Sequence, residues 1–534
     1  MESFDYVIVG AGAAGCVLAH RLSEDPAVRV ALLEAGPSQK HPLIAMPKGL
    51  GIVLKNPKYV WSFVTEPEAS TGGKSEPWAR GKVLGGSTSV NGLMYVRGQP
   101  ADFDEIAAQT SDDWSWQHIG AAYRALENHQ LGADATGTRG DAGPLRITLS
   151  DEKSALTEAM VKAGVQMGLP LRRDPNAPDG GEGIGYAARN IYAGRRQDAA
   201  TAFVDPVRSR RNLTVVTGAP VQRIRFEGRR AVAAEVNGDG GRRDYRASRE
   251  IIVAGGALSS PALLQRSGIG PAALLQKLGI ALVHDAPEVG QNLIEHRAIL
   301  MSWKLSQPLS QNPDFAGWRA GLSALKYFVT RRGPMAAATY EIGAWLKSRP
   351  ELARPDLQFL IAPFSLDFES DRQKPDPFHG FHMVAYPLRP TSRGEINIKS
   401  MNVAESSRLR PNHHATEHDR ELMCALVRSA RRYAAQPALR EIIEVETYPG
   451  PDCESDAEII DAYDRQGSCG YHAVGSCRMG RDERSVVDPQ LRVRGVEGLR
   501  VMDTSVMPQI PSGNTNGPTM AMAWRAADII RRDR

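Results

Sequence analysis

Residues 4–9 (FDYVIV) form a short apolar run, and a Gly-rich turn, residues 10–15 (GAGAAG), follows with no spacer. Apolar positions from 16 to 21 take helical spacing, and residues 28–33 (VRVALL) read as a second buried strand ending at Glu34. A strand–helix–strand unit of this kind opens a doubly wound parallel sheet. The runs 213–216, 221–226 and 251–253 read as strands of the same layer. Residues 499–502 supply a last short strand before Asp503, and 519–531 have the spacing of a closing helix.

Between about residues 300 and 455 the pattern changes. The segments 356–361 (DLQFLI), 381–386 (FHMVAY) and 395–399 (EINIK) read as antiparallel strands flanked by helical stretches. The expected fold class is therefore α/β. A Rossmann-like dinucleotide-binding domain carries an inserted α+β substrate domain built on an antiparallel sheet. Residues 1–155, 190–300 and 456–534 are assigned to the first domain, and 156–189 and 301–455 to the second. Length agrees, because 534 residues exceed what one hydrophobic core usually serves.

Composition narrows the function classes without choosing one. Hydrophobic residues at 42% and charged residues at 24% are ordinary for a globular protein. The net charge of +4 is small and the Lys and Arg residues are scattered, which argues against a nucleic-acid partner. Cys16, Cys424, Cys453, Cys469 and Cys477 show no metal or redox spacing and read as reduced packing residues. The first residues enter a strand directly, without the layout of a signal peptide. No apolar run reaches the roughly 18 residues of a membrane span. The expected location is cytoplasmic.

Gly10, Gly12 and Gly15 fit GxGxxG in its required strand-to-helix setting. The first permits the tight turn, the second lets backbone approach a pyrophosphate, and the third lets helix pack on strand. Phosphates would sit at the positive end of the following helix. Glu34, at the end of the second strand, is placed to accept both ribose hydroxyls and would repel a 2′-phosphate. These glycines cannot by themselves separate FAD from NAD. The loop 80–92 (RGKVLGGSTSVNG) is rich in Gly and small hydroxyls, able to lie against an extended ligand.

That loop and residues 255–271 (GGALSSPALLQRSGIGP) closely resemble the two signature regions of the glucose–methanol–choline (GMC) flavoprotein oxidoreductases. Residues 289–296 (VGQNLIEH) resemble the family's VGxNLxDH, with Glu295 in place of Asp. Residues 388–400 (LRPTSRGEINIKS) resemble its substrate-domain strand pair, 471–480 (YHAVGSCRMG) its HPxGTCRMG, and 501–519 its closing segment. Loop 80–98 looks most like choline dehydrogenase and bacterial alcohol dehydrogenase members.

The resemblance implies that the first domain binds FAD. The expected cofactor residues are Gly10, Gly12, Ala13, Ala14, Gly15, Glu34, Ala35, Val83, Gly85, Gly86, Asn91, Gly92, Leu93, Met94, Val221 and Asp503. It also implies that His472 is the active-site histidine. A neutral imidazole of pKa about 6.5 can take the O–H proton of an alcohol while the flavin takes the hydride. Asn516, 44 residues on, fits the spacing of the family's second active-site residue better than its competitor Asn514. Some members attach FAD through a histidine just before the position of Asn91. Val90 stands there, so the FAD is expected to be noncovalent.

The expected reaction is oxidation of a primary alcohol, aliphatic, aromatic or choline-like, to the aldehyde. Oxygen or another electron acceptor reoxidises the flavin. Trp303, Trp318, Tyr340, Trp345, Phe359 and Phe364 are the aromatic candidates for a substrate pocket. The alternatives are an FAD-containing lyase of hydroxynitrile-lyase type, a photodecarboxylase on the same fold, and a protein that keeps flavin structurally. No metal is expected, and the chain is taken as a monomer or homodimer.

Overall fold

The computed structural model describes residues 3–150, 153–238, 241–367 and 374–533. Its first sheet runs Leu213–Val216, Val30–Leu33, Ser3–Val9 and Gly241–Val253, with Leu499–Val501 on the far side of the last. These five are parallel, and Val7 lies opposite Ala31 on one neighbour and Ile251 on the other. The central segments 6–9, 30–33 and 251–253 are apolar and buried on both faces, as helix-covered parallel strands require. The first helix, Ala13–Leu22, and the closing helix, Asn516–Arg532, pack into this core through Val17, Leu18, Ala523 and Ala527.

The run 221–226 joins this sheet as expected, but as the outer strand of an antiparallel meander. Val221–Glu227 pairs with Arg230–Gly238, which pairs with Gly241–Val253. Only the last three residues of that 13-residue strand were legible. Its first ten (GRRDYRASRE) are largely polar and none is buried, so they carry little apolar signal.

The second sheet runs Ile443–Tyr448, Arg297–Leu305, Gly380–Pro387, Leu357–Ala362, Ile342–Leu346 and Gly183–Tyr186, antiparallel throughout. Strand alternation sorts its side chains. Phe381, Met383 and Ala385, with Phe359, Ile361, Met301 and Trp303, meet the helices Ala155–Gln166 and Glu417–Ala434 in a second core. His382, Val384, Tyr386, Leu360 and Leu300 point the other way, into a cavity. The run 395–399 does not belong to this sheet. Glu395–Asn397 pairs with Arg408–Arg410 in a separate ribbon. Among the described residues no helix is long and apolar enough to cross a membrane.

Candidate active site

A cavity of about 1530 Å³ is lined by residues of both sheets. At one end stand Gly10, Gly12, Ala13, Ala14, Glu34, Ala35 and Val221. Gly10 has φ +105°, and a Cβ there would lie 2.4 Å from the Ala254 carbonyl oxygen. A Cβ at Gly15 would lie 1.9 Å from the Gly10 oxygen, so this glycine packs helix on strand and does not line the cavity. Gly12 meets nothing within 4 Å, leaving its backbone open beside the N-terminus of the first helix. The first N–H groups of a helix have no partner inside it, so this end presents donors of the kind that can hold an anion such as phosphate.

Glu34 closes the same end. Its carboxylate accepts hydrogen bonds from Ala11 N at 3.1 Å and Gly36 N at 2.8 Å. Burial pushes it up to about 7, although the N–H groups of Gly36 and Ala11 act to lower it.

The loop 80–94 lies across the glycine turn. Gly85 N donates to Ala11 O at 2.8 Å, and a Cβ on Gly86 would fall 2.6 Å from Gly12 Cα. Gly86, Asn91, Gly92, Leu93 and Met94 line the cavity, but Val83 and Gly85 do not. Val83 is buried among Ile44, Val53, Tyr59 and Val60, and Gly85 is spent on the turn beneath it, so both act as anchors of the loop. Asp503 lines the cavity and accepts from Gly256 N, Ser260 Oγ and Ser505 N at 2.5–2.9 Å.

The other end is built on His472. Its backbone N and that of His296 both donate to Glu295 Oε1, at 2.7 and 2.9 Å. Glu295 Oε2 meets Cys469 Sγ at 3.2 Å and Arg80 Nη2 at 3.4 Å. One fully buried carboxylate thus ties the 295–296 segment to the 469–472 segment. Tyr471, next to the histidine, is held at φ +63°, the left-handed region that a tyrosine adopts only when its surroundings impose it.

The ring nitrogens form a chain whose protons can be assigned by elimination. His296 Nε2 lies 3.1 Å from the Leu388 carbonyl oxygen, which can only accept, so Nε2 carries the proton. His296 Nδ1 is then a lone pair and accepts from His472 Nδ1, 3.0 Å away. This leaves the lone pair of His472 on Nε2, which accepts from Asn514 Nδ2 at 3.0 Å. Burial, then His296 and Arg80, hold the His472 imidazole well below its usual range; burial puts His296 at about 3. Tyr386 stacks on His296 with centroids 4.8 Å apart and stands edge-on to His472 at 5.3 Å.

Asn516 lines the cavity as the first residue of the closing helix, with no hydrogen bond to His472. Spacing favoured it over Asn514, yet Asn514 is the one that reaches the ring. Of the aromatic candidates, only Tyr340 and Phe364 line the cavity, with His382 between them at 5.9 and 5.0 Å. Trp303 and Phe359 face the helices on the opposite side of the sheet, and Trp345, on the cavity side, is buried in a cluster with Met94, Leu360 and Tyr386 and does not reach the cavity itself. Trp318 is on the outer surface. His296, Asn514, His382 and Tyr386 were not given roles from sequence, although His296 lies inside a quoted motif.

A parallel-sheet glycine turn, a histidine chain at the far end of one continuous cavity and an antiparallel sheet beside it have the layout of an oxidoreductase that uses a nucleotide cofactor. Residues 4–298 and 390–523 match the N- and C-terminal domains of the GMC oxidoreductase family. The chain belongs to that family, binds FAD and acts on CH–OH groups. It is 39% identical to the oxygen-dependent choline dehydrogenase of Ectopseudomonas mendocina, covering 99% of this chain and 94% of that protein. It is 37% identical to the alcohol dehydrogenase (acceptor) of Pseudomonas putida, covering 99% and 96%. The crystal structure of pyridoxine 4-oxidase from Mesorbium loti superposes with a TM-score of 0.89 at 32% identity, covering 99% of both chains.

Proposed function

We propose that this chain oxidises a primary alcohol to the aldehyde, with His472 Nε2 as proton acceptor and with FAD held noncovalently. The observation that carries this reading is the relay from Leu388 O through His296, which fixes the lone pair of His472 on the nitrogen beside the cavity. FAD, when bound, supplies the hydride acceptor and passes the electrons to oxygen or another acceptor. Gly10, Gly12, Ala13 and Ala14 would hold its pyrophosphate, Glu34 and Ala35 a ribose, and Val221 the adenine. Asn91 to Met94 would meet the ring system and Asp503 the linking chain, with Val83, Gly85 and Gly15 acting from behind.

An alcohol reaching Nε2 takes the place of the Asn514 amide, and its O–H donates to the lone pair. The displaced amide N–H, or that of Asn516, can then donate to the alcohol oxygen and steady its developing charge. Along the six principal strands of the second sheet, the residues that line the cavity are Leu300, Leu360, His382, Val384, Tyr386 and Tyr448. None is a carboxylate, although Glu76, Glu405 and Asp464 stand elsewhere on the lining, so this wall by itself suits a neutral aromatic or aliphatic alcohol better than a quaternary ammonium.

Anaerobic mixing of the yellow protein with a linear alcohol, a benzylic alcohol and choline tests the reading. Bleaching is expected with the neutral alcohols and more slowly with choline, and colour that persists with all three refutes it. Readmitting air then separates an oxidase from a dehydrogenase. Acid precipitation is expected to release yellow FAD into the supernatant, since Val90 offers no nucleophile; a yellow pellet would contradict this.

The pH dependence follows from the lowered histidine. Proton acceptance needs the neutral ring, which persists above the depressed pKa and is lost only below it. The rate of bleaching is therefore expected to stay level from pH 8 to below 6.5 and to fall only in more acid solution. A half-maximal point at or above 6.5 rules out a desolvated His472 as the titrating base.

A further inference from the structure

The helix Gly317–Thr330 turns its apolar side chains outward. Trp318 is 72% exposed, Leu322 54%, Leu325 59% and Val329 75%, with Phe328 beside them at 43%. At about 100° per residue, the first four fall in a stripe about 60° wide. Ser323 and Tyr327, on the opposite side, are the helix's buried residues, and the Tyr327 hydroxyl donates to Ala45 O at 3.2 Å. The stripe therefore points directly away from the protein. An apolar row on a surface helix ordinarily faces the core, so this one is inverted.

Charge indicates what covers it. Residues 317–332 hold Arg319, Lys326, Arg331 and Arg332 and no acid, a local excess as large as the +4 of the whole chain. Arg319 and Lys326 fall about 70–90° from the centre of the stripe, on its shoulder. An outward apolar stripe with a Trp, flanked by cations, has the chemistry of a helix lying in the surface of an anionic bilayer. A second copy fits less well. An isologous contact through this face would set cations against cations, and a helix about 21 Å long presents far less than the roughly 800 Å² per partner of a stable interface.

We propose that the helix Gly317–Thr330 docks the protein on an anionic phospholipid surface. The helix leads on either side to residues of the cavity, Phe315 before it and Met335 after it. Docking therefore brings this part of the cavity wall close to the lipid, where apolar substrates or electron acceptors concentrate.

The test is co-sedimentation of the FAD-loaded full chain with vesicles of phosphatidylglycerol and phosphatidylcholine, against phosphatidylcholine alone. Binding is expected to the anionic vesicles and to weaken with salt. The double variant W318E/L325E is expected to lower the bound fraction at least tenfold, and R319Q/K326Q to lower it and flatten the salt dependence. Both should bleach with alcohol at the unaltered rate, since neither pair lines the cavity. Wild-type protein that stays in the supernatant overturns the proposal, as do stripe variants that pellet normally. A wild-type dimer that W318E/L325E converts to monomer overturns it in favour of a second copy.

Discussion

Replacing His472 by Ala is expected to slow alcohol-driven bleaching by about 10² to 10⁴-fold, roughly 3–5 kcal/mol, while FAD content stays at the wild-type level. The size follows from what the ring supplies. Without it no group with an available lone pair stands at Nε2, and the alcohol proton must leave to water. Retention of FAD follows from placement, because the glycine turn, Glu34 and Asp503 lie on other segments of the cavity wall. The backbone of residue 472 also keeps its bond to Glu295 in the variant. Two orphaned partners remain, His296 Nδ1 and Asn514 Nδ2, so a modest loss of stability accompanies the loss of rate. Stopped-flow bleaching with a saturating neutral alcohol reads the effect. A rate within threefold of wild type would remove the ring from the reaction.

Much of this end of the molecule was legible in sequence, and the exceptions share a physical cause. The glycine turn can be read locally, since Gly10 and Gly15 are required by backbone atoms that approach within 2.4 and 1.9 Å of where a Cβ would stand. His472 was legible only through its motif. Its partner His296 is 176 residues away, and their contact exists only because Glu295 gathers both segments. The ambiguity between Asn514 and Asn516 turned on the path of the chain just before the closing helix, which spacing does not encode. The aromatic residues of the second sheet failed differently. Its strands are apolar on both faces, so the parity that sends Tyr386 to the cavity and Phe381 to the helices leaves no polar alternation to read. Short strands such as Ile342–Leu346 (IGAWL) were missed for want of length and pattern.

The second large effect is expected at Gly86, where the signature loop crosses the nucleotide turn. Gly86→Ala should strip the protein of colour, lowering its FAD content at limiting cofactor at least tenfold, and should lower its melting temperature as well. Gly86 has φ +55°, and its added methyl would sit 2.6 Å from Gly12 Cα, backbone against backbone, where no rotamer change gives relief. The left-handed conformation costs an alanine about 1–2 kcal/mol, and overpacking adds about 1–3 kcal/mol. Relief requires the loop to back away from the turn, which also pulls on the Gly85 N bond to Ala11 O. Gly12 separates loss of fit from loss of fold. A methyl there meets no protein atom within 4 Å, so Gly12→Ala should melt like wild type and still lose FAD, because the methyl enters the space proposed for the phosphates. Absorbance at the flavin band against protein, with melting followed by circular dichroism, reads both variants. Full FAD occupancy in Gly86→Ala would mean that the loop is not pinned by this contact, and full occupancy in Gly12→Ala would move the phosphates elsewhere in the cavity.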